Sequence, residues 1–478
     1  MKGSMILIAV IFFTSLTWTQ SSNKKLDWRL MVSNNGRFLQ HKNGKPFFWL
    51  GDTAWLLFEK LNREETDKYL ENRRKKGFNV IQIMLIHAFP EVNVYGDSAF
   101  VNNDPSRPKT TEKNNPKDSV QFDFWDYVDY VADKAAEKGI YVALVPVWGA
   151  NVKNKIVNRN NASVYALWLA NRYKNKPNII WINGGDIRGG DNLNVWNEIG
   201  KTLRANDPNH LITFHPFGRT QSSTWFHNQA WLDFNMFQSG HKRYDQDPAG
   251  YGEDNWKYVM SDYNKVPIKP VLDGEPSYEN IPQGLHDFSQ PYWKDNDVRR
   301  YAYWSVFSGS FGHSYGNNAV MQFHKPENKS SAYGVKDFWF DAINAPGASQ
   351  MSYLKNLMLS RPFFERVPDQ SIIAGENGKK YNYLVATRGK NYLFVYTYNG
   401  RNFKINLGKI SGLKVKAYWY NPRKGSASSI GTFDNAGTKE FNPPGNKKDG
   451  NDWVLVVDDA SKKNQSPGKS IYKNYSLR

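Results

Sequence analysis

The chain has 478 residues, 15% of them aromatic, no cysteine and a formal net charge of +18. That length is too great for one small core and predicts two domains. The lack of cysteine excludes disulfides, thiolate zinc sites and lipid attachment through sulfur. The cationic balance favours a polyanionic partner. With no basic helix and no aromatic RNA-binding motif, an acidic polysaccharide, or simple solubility, is expected rather than nucleic acid.

In chain order, Lys2, an apolar run over residues 5–13 and small polar residues through Ser22 form the pattern of a secretory signal peptide. The run is too short to span a bilayer, so residues 1–22 are expected to direct export to a periplasm or beyond the cell. No later stretch predicts a membrane span. Residues 30–38 and 40–45 predict a hairpin turned at Asn34-Asn35-Gly36. A strand–helix rhythm follows. A strand over 47–51 runs into Asp52, and Asn62 with Glu65 predicts a capping box for a helix over 62–76. A strand over 79–86 ends at His87, and the polar segment 88–120 reads as an active-site loop. A helix over 122–138, a strand over 141–147 ending at Trp148, and a helix over 163–173 come next. The run IIWINGGD, residues 179–186, is apolar and β-branched and stops at a carboxylate in a glycine-rich turn. It predicts a strand buried on both faces. Beyond it lie a helix over 193–204, a strand over 211–214 before His215, and a strand over 233–238 before His241. A helix over 252–263 and a strand over 269–275 complete this part. Residues 297–303 read as helix, or as the lead into a strand over 301–307, on the way to His313.

Alternating strands and helices imply a parallel sheet, and about eight strands imply a closed (β/α)8 TIM barrel. The competing fold is a doubly wound open sheet. It would need a glycine-rich phosphate turn where this chain has Asp52-Thr53-Ala54-Trp55. Short alternating strands at 371–374, 381–387, 392–398, 403–407, 413–420 and 452–457 then predict an all-β sandwich. The expected organisation is a barrel over 28–362, a sandwich over 363–460 and a basic, disordered tail over 461–478.

Asp186 and Glu275 end the fourth and seventh expected strands beside glycines, where a ligand can approach. Glycoside hydrolysis needs such a pair: one carboxyl protonates the leaving oxygen, and the second attacks the sugar or activates water. An ion pair with Arg188 is the plain structural alternative for Asp186. Asp273 competes with Glu275, since both fall on one face at period two. Asp52 suits either a substrate hydroxyl or a helix cap. His87, His215, His241 and His313 fall at strand ends, where they would serve sugar hydroxyls or a metal. No H-x-H or H-E-x-x-H spacing supports the metal, so no cofactor is expected. Trp148 and Trp304 suit a sugar platform or the core. Asn183 and Arg188, flanking Asp186, complete the expected substrate-binding set. Serine hydrolase chemistry lacks its G-x-S-x-G elbow.

The motifs KPFFWLGDTAWLLF (45–58), GFNVIQIMLIH (77–87), WINGGD (181–186) and DGEPSYE (273–279), in that order, resemble glycoside hydrolase family 140. These are apiosidase-like enzymes with a (β/α)8 barrel. The C-terminal part resembles the β-sandwich that follows that barrel, which carries a collagen-binding label. The resemblance implies a retaining glycosidase acting on the apiose–galacturonic acid linkage of rhamnogalacturonan II, an acidic plant pectin. It further implies Asp186 as acid/base and Glu275 as nucleophile. Two readings from other classes stand beside it: a carbohydrate-binding barrel without catalysis, and a metal-dependent hydrolase using the strand-end histidines.

Overall fold

The computed structural model describes residues 29–248 and 250–472. The expected signal peptide lies outside them. A small antiparallel meander, Leu30–Val32, Leu39–His41 and Pro46–Phe47, precedes the main domain. The barrel strands are β1 (Trp49–Thr53), β2 (Val80–Met84), β3 (Tyr141–Val145), β4 (Ile179–Ile187), β5 (Ile212–Pro216), β6 (Asn235–Gln238), β7 (Val271–Asp273) and β8 (Gly312–Tyr315). β8, β1, β2, β3, β4 and β5 form one parallel sheet in that order, and β6 pairs with β7 in parallel. Backbone bonds complete the ring: Asp233 N–H donates to Ile212 O at 2.9 Å beside β5, and Phe311 N–H donates to Val271 O at 3.1 Å beside β8. The closed barrel therefore replaces the open-sheet alternative.

The strands are apolar on both faces because both are covered. On β4, Trp181 joins the core under the helices, while Ile180 and Ile182 fill the barrel interior. The surrounding helices begin where capping chemistry places them. In α1 (Arg63–Lys75) the Asn62 side chain accepts from Glu65 N–H, and the Glu65 carboxylate accepts from Asn62 N–H, both at 2.9 Å. Asp123 and Asp126 do the same for α2 (Phe124–Glu137). The layer continues with α3 (Arg159–Tyr173), α4 (Leu193–Asn206), α5 (Asn255–Tyr263), α6 (Asp295–Phe307) and α7 (Pro346–Met358).

Residues 301–307 are helix, not strand, and the eighth strand is β8, which carries His313. The reason is packing. Val298 through Phe307 are buried all round, because α6 lies between the barrel and the second domain. A helix covered on every side has no polar stripe, so its sequence reads like a buried strand.

The second domain is a sandwich. Its large sheet holds Val367–Pro368, β9 (Leu384–Arg388), β10 (Tyr392–Thr397), β12 (Lys414–Asn421), β13 (Ser426–Asp434) and β15 (Trp453–Asp459). Its small sheet holds Ile373–Ala374, β11 (Phe403–Asn406) and β14 (Thr438–Phe441). β13 and β14 escape sequence reading because they are largely exposed and rich in Ser, Thr and Lys. One face of the large sheet packs on the small sheet through Leu384, Leu393, Val395, Ile405, Leu455 and Val457. The other face, with Val385, Phe394, Tyr396, Val454 and Val456, shares a core with α6 and the barrel.

Buried forked ion pairs cross this interface. Arg299 holds Asp452 at 2.9 and 3.0 Å, and Arg361 holds Asp458 at 2.8 and 2.6 Å. The basic tail departs from the expected disorder as far as the described residues go. Ile471 N–H donates to Leu359 O at 2.9 Å, and the Tyr472 hydroxyl accepts from Phe363 N–H at 3.2 Å.

Candidate active site

A cavity of about 740 Å³ opens at the C-terminal ends of the barrel strands, within the usual size of a small-ligand site. Both expected acids line it. β4 delivers Asp186 by an irregularity. Gly184 pairs with His215 and Ile187 with Pro216, so β4 spends two extra residues, Gly185 and Asp186, against one step of β5. Gly184, Gly185 and Asp186 have φ of +90°, +118° and +49°. Glycine is required at the first two: a Cβ on Gly184 would lie 2.6 Å from His215 O, and one on Gly185 would lie 2.5 Å from the Trp148 ring. The bulge turns Asp186 out of the strand and into the cavity.

Glu275 lies two residues past β7, almost fully buried. A polar layer inside the barrel supports it. Trp49 donates to Ser314 at 3.1 Å, Ser314 to Gln82 at 2.7 Å, and Gln82 to Gly274 O at 3.1 Å. Two imidazoles face its carboxylate. His241 Nε2 is 3.3 Å from Oε1. His215 Nε2 is 3.0 Å from Oε2, though off the line of a good hydrogen bond. His215 Nδ1 accepts from Asp186 N–H at 3.4 Å, which leaves the ring proton on Nε2, towards Glu275. One histidine thus braces both acids.

The two carboxyls are pushed in opposite directions. Asp186 reaches water at the cavity mouth. Its pKa is nevertheless raised, first by desolvation between the cavity walls and then by the negative charge of Glu275, against His215, His241 and the Gly218 N–H. For Glu275, burial alone would raise the pKa. The contacts with His215 and His241 outweigh it and hold the carboxyl down at about 2. Asp186 is therefore the acid that keeps its proton longer, and Glu275 the one that stays ionised.

The other expected residues divide. His87, Trp148 and His241 line the cavity, and His215 reaches it through Glu275. His87 Nδ1 is 2.9 Å from Glu59 Oε1. Trp148, Trp55 and His215 form an aromatic wall with ring separations of 5.4–5.7 Å.

Asp52 does not belong to the site. It is buried against Arg73 at 2.6 Å and Tyr69, holding β1 to α1. Asn183 points outward, donating to Trp196 O at 2.8 Å to pin β4 to α4. Arg188 makes no ion pair with Asp186 and instead lies 5.5 Å over the ring of Phe217, a wall residue. Trp304 is buried in α6, where it packs on Arg300 and Tyr383. His313 is sealed inside the barrel, its pKa lowered to about 3 by burial. Asp273 sits below the cavity, accepting from Ser239 Oγ at 2.8 Å and Asn255 at 3.0 Å, and burial raises its pKa to about 7. His87 and His313 thus lie apart from the two histidines on Glu275, and among the described residues no group of three or more His, Asp or Glu gathers as a metal would require.

Of the expected active-site loop over 88–120, no residue lines the cavity. Its Phe89 and Phe100 stack on each other at 5.4 Å, and Phe100 packs against Trp125 of α2. Besides Trp55, Lys60, His87 and Trp148, the walls come from segments after β5 to β8, including Gly218, Arg219, Lys242, His286 and residues 330–333. Tyr278 faces Glu275, and Tyr333 faces both acids. Trp55 was within reach of sequence reading, since it follows Asp52 in a strand-end motif. Tyr333 was not, since it lies on a loop with no periodic pattern.

A family profile described as the apiosidase-like catalytic domain matches residues 33–365, and one described as the collagen-binding domain of a collagenase matches residues 367–458. No curated protein matches the chain. A solved structure titled glycoside hydrolase is 49% identical over 91% of this chain and 99% of its own, with a TM-score of 0.86. A glycoside hydrolase family 5 structure from Bacteroides vulgatus is 47% identical over 92% of this chain and 95% of its own, with a TM-score of 0.87. A third structure, also from Bacteroides vulgatus, is 14% identical over 91% and 83% of the two chains, with a TM-score of 0.64, and shares the fold.

Proposed function

The chain belongs to the apiosidase-like family of glycoside hydrolases, and we propose that it is a retaining member acting on acidic pectin, at the apiose–galacturonic acid linkage of rhamnogalacturonan II. The observation that carries the mechanism is the opposed pair of acids in one cavity, Asp186 raised and Glu275 depressed. Such a split supports Asp186 as the proton donor and Glu275 as the ionised partner. Glu275, ionised, attacks the anomeric carbon while Asp186 gives its proton to the leaving oxygen. A glycosyl ester on Glu275 results. Asp186, now a carboxylate, takes a proton from water, which displaces Glu275 and regenerates both groups. The imidazoles of His215 and His241 hold the Glu275 carboxylate in place before attack. The aromatic wall of Trp55 and Trp148 suits the apolar face of a sugar ring.

The acidic substrate is supported by the cations in the cavity lining. Lys60, Arg219 and Lys242 all face it. Arg219 is already paired with Asp247 at 3.1 Å, which leaves the two lysines as the better partners for a uronate. Export, carried by the apolar run at residues 5–13, belongs to the same proposal and would bring the enzyme to extracellular pectin.

The test is incubation with defined rhamnogalacturonan II oligosaccharides, with the anomeric configuration of the released sugar followed by NMR. Apiose released with retained configuration is the expected result. Inverted product would overturn the mechanism, and an intact linkage beside cleavage of another glycan would overturn the substrate.

A further inference from the structure

The loop that presents His241 is held by the other domain. Between β6 and α5, residues 239–254 carry His241 and then Tyr244, three positions on. Tyr244 directs its N–H to Glu253 Oε1 at 3.4 Å and its hydroxyl to Asp254. Tyr381, from the sandwich, donates to Glu253 with its oxygen 2.9 and 3.0 Å from the two carboxylate oxygens. Its ring lies 5.8 Å from that of Tyr244, and the neighbouring Lys380 ammonium lies 5.1 Å over the same Tyr244 ring. Arg300 of α6 pairs with Glu253 at 2.6 Å, its guanidinium enclosed by the rings of Tyr301, Trp304, Tyr381 and Tyr398 at 4.7–5.2 Å. Where the loop enters α5, Trp256 stacks on sandwich residue Tyr383 at 4.2 Å and 6°. Next to it, Asn255 donates to Asp273, which also binds Ser239 at the loop's start.

We propose that Tyr381 is a positioning residue for glycoside hydrolysis: by gripping Glu253 and Tyr244 it holds the loop that sets His241 against Glu275, so that the sandwich is part of the catalytic apparatus. The proposal rests on reading Glu275 as the nucleophile. Its logic is that Glu253 is buried and bound from three directions. A buried carboxylate stripped of one donor re-seats itself on those that remain, here Arg300 and the Tyr244 N–H, and the loop follows. Glu275 is faced by His215 from β5, Asp186 from β4, Tyr278 beyond β7, Tyr333 from the 330–333 segment, Asp273 below, and His241. Of these, only His241 sits on the loop that Tyr381 holds. Loosening it weakens one contact to the carboxylate and leaves the others in place.

The experiment compares Tyr381→Phe with Tyr396→Phe in the full chain. Tyr396 crosses the same interface, with its hydroxyl 3.2 Å from Asp452 and its ring stacked on Tyr303 at 4.7 Å, but touches nothing in the loop. Tyr381→Phe is expected to lower kcat/KM about tenfold, the effect of one hydrogen bond to a charged group. It should also move the acid limb of the pH profile to higher pH, because the nucleophile loses a donor. Tyr396→Phe is expected to lower thermal stability without moving that limb. With 13C-labelled histidine, the His241 signal, assigned through His241→Asn, is expected to move in Tyr381→Phe and stay in Tyr396→Phe. This signal is read without substrate, so it decides the proposal even if no glycan is cleaved. Should Tyr381→Phe fold poorly, Lys380→Ala removes the cation over Tyr244 and is expected to move the same signal less. A His241 signal unchanged in the variant that folds, or moved equally by Tyr396→Phe, would overturn the proposal.

Discussion

Asp186 and Glu275 are chemically alike, and their surroundings make them unlike. One acid is part of the other's environment: the charge of Glu275 helps to raise Asp186. Glu275→Gln removes that charge, so the pKa of Asp186 is expected to fall, as read by carboxyl NMR titration. Turnover should be abolished, and azide should restore part of it by taking the vacant place of the attacking group. An Asp186 titration unchanged in the variant would show that the two groups do not feel each other. A second acid shows the cost of burial without catalysis. Glu91 binds the backbone N–H groups of His87 and Ala88 at 2.7 and 3.2 Å, and burial followed by the charge of Glu59 raises its pKa to about 8. Because the folded chain holds that proton more tightly, the stabilisation is complete below pH ~4.3, the unfolded value, and is lost as pH rises towards 8. Glu91→Gln is therefore expected to flatten the fall in stability between pH 5 and 8, measured by denaturant unfolding at several pH values.

At the level of elements, the bulge in β4 places the acid, and its two glycines meet different obstacles. A Cβ on Gly185 runs into Trp148, whereas one on Gly44, also in the left-handed region at φ +82°, meets nothing within 4 Å. Gly44→Ala is expected to cost about 1 kcal/mol from backbone strain alone. Gly185→Ala should cost more and lower kcat as well, because Trp148 must shift or the bulge must straighten. Equal losses in the two variants would show that the bulge tolerates the change. The bulge also marks a boundary of what the residue pattern reveals. A β-branched run ending in Gly-Gly-Asp announces a buried strand and a turn, and the capping pair Asn62 and Glu65 announces a helix start. Both are local chemistry. Asp52, Asn183 and His313 mislead because strand-end position does not tell which way a side chain points, and Trp304 because a helix buried all round reads like a strand. Asp52 is drawn to Arg73, from the helix after its own strand, and Trp304 to a domain that begins some sixty residues later. Long-range partners of that kind leave no periodic trace.

Across the whole molecule, the barrel and sandwich share one hydrophobic core, α6 and the buried Arg–Asp forks. Two domains built this way are expected to unfold in one calorimetric transition, and two resolved peaks would show that the interface is weaker than its contacts. Arg361→Met removes the buried guanidinium that pairs with Asp458 and is expected to cost about 3–5 kcal/mol, measured by denaturant unfolding. The two-domain organisation is legible from the change in residue rhythm after residues 361–364. The firmness of the junction is not, since it rests on arginines whose partners lie 97 and 153 positions away.

That firm junction fixes geometry as well as stability. The small sheet of Ile373–Ala374, β11 and β14 lies on the far side of the sandwich from the barrel. Whatever fastens to that outer surface, whether a resin or a cell-wall fibre, becomes the foot of a stiff post rather than the end of a leash. The cavity mouth then stands at a constant height and tilt above the anchoring plane, and only chain segments passing at that height are within its reach.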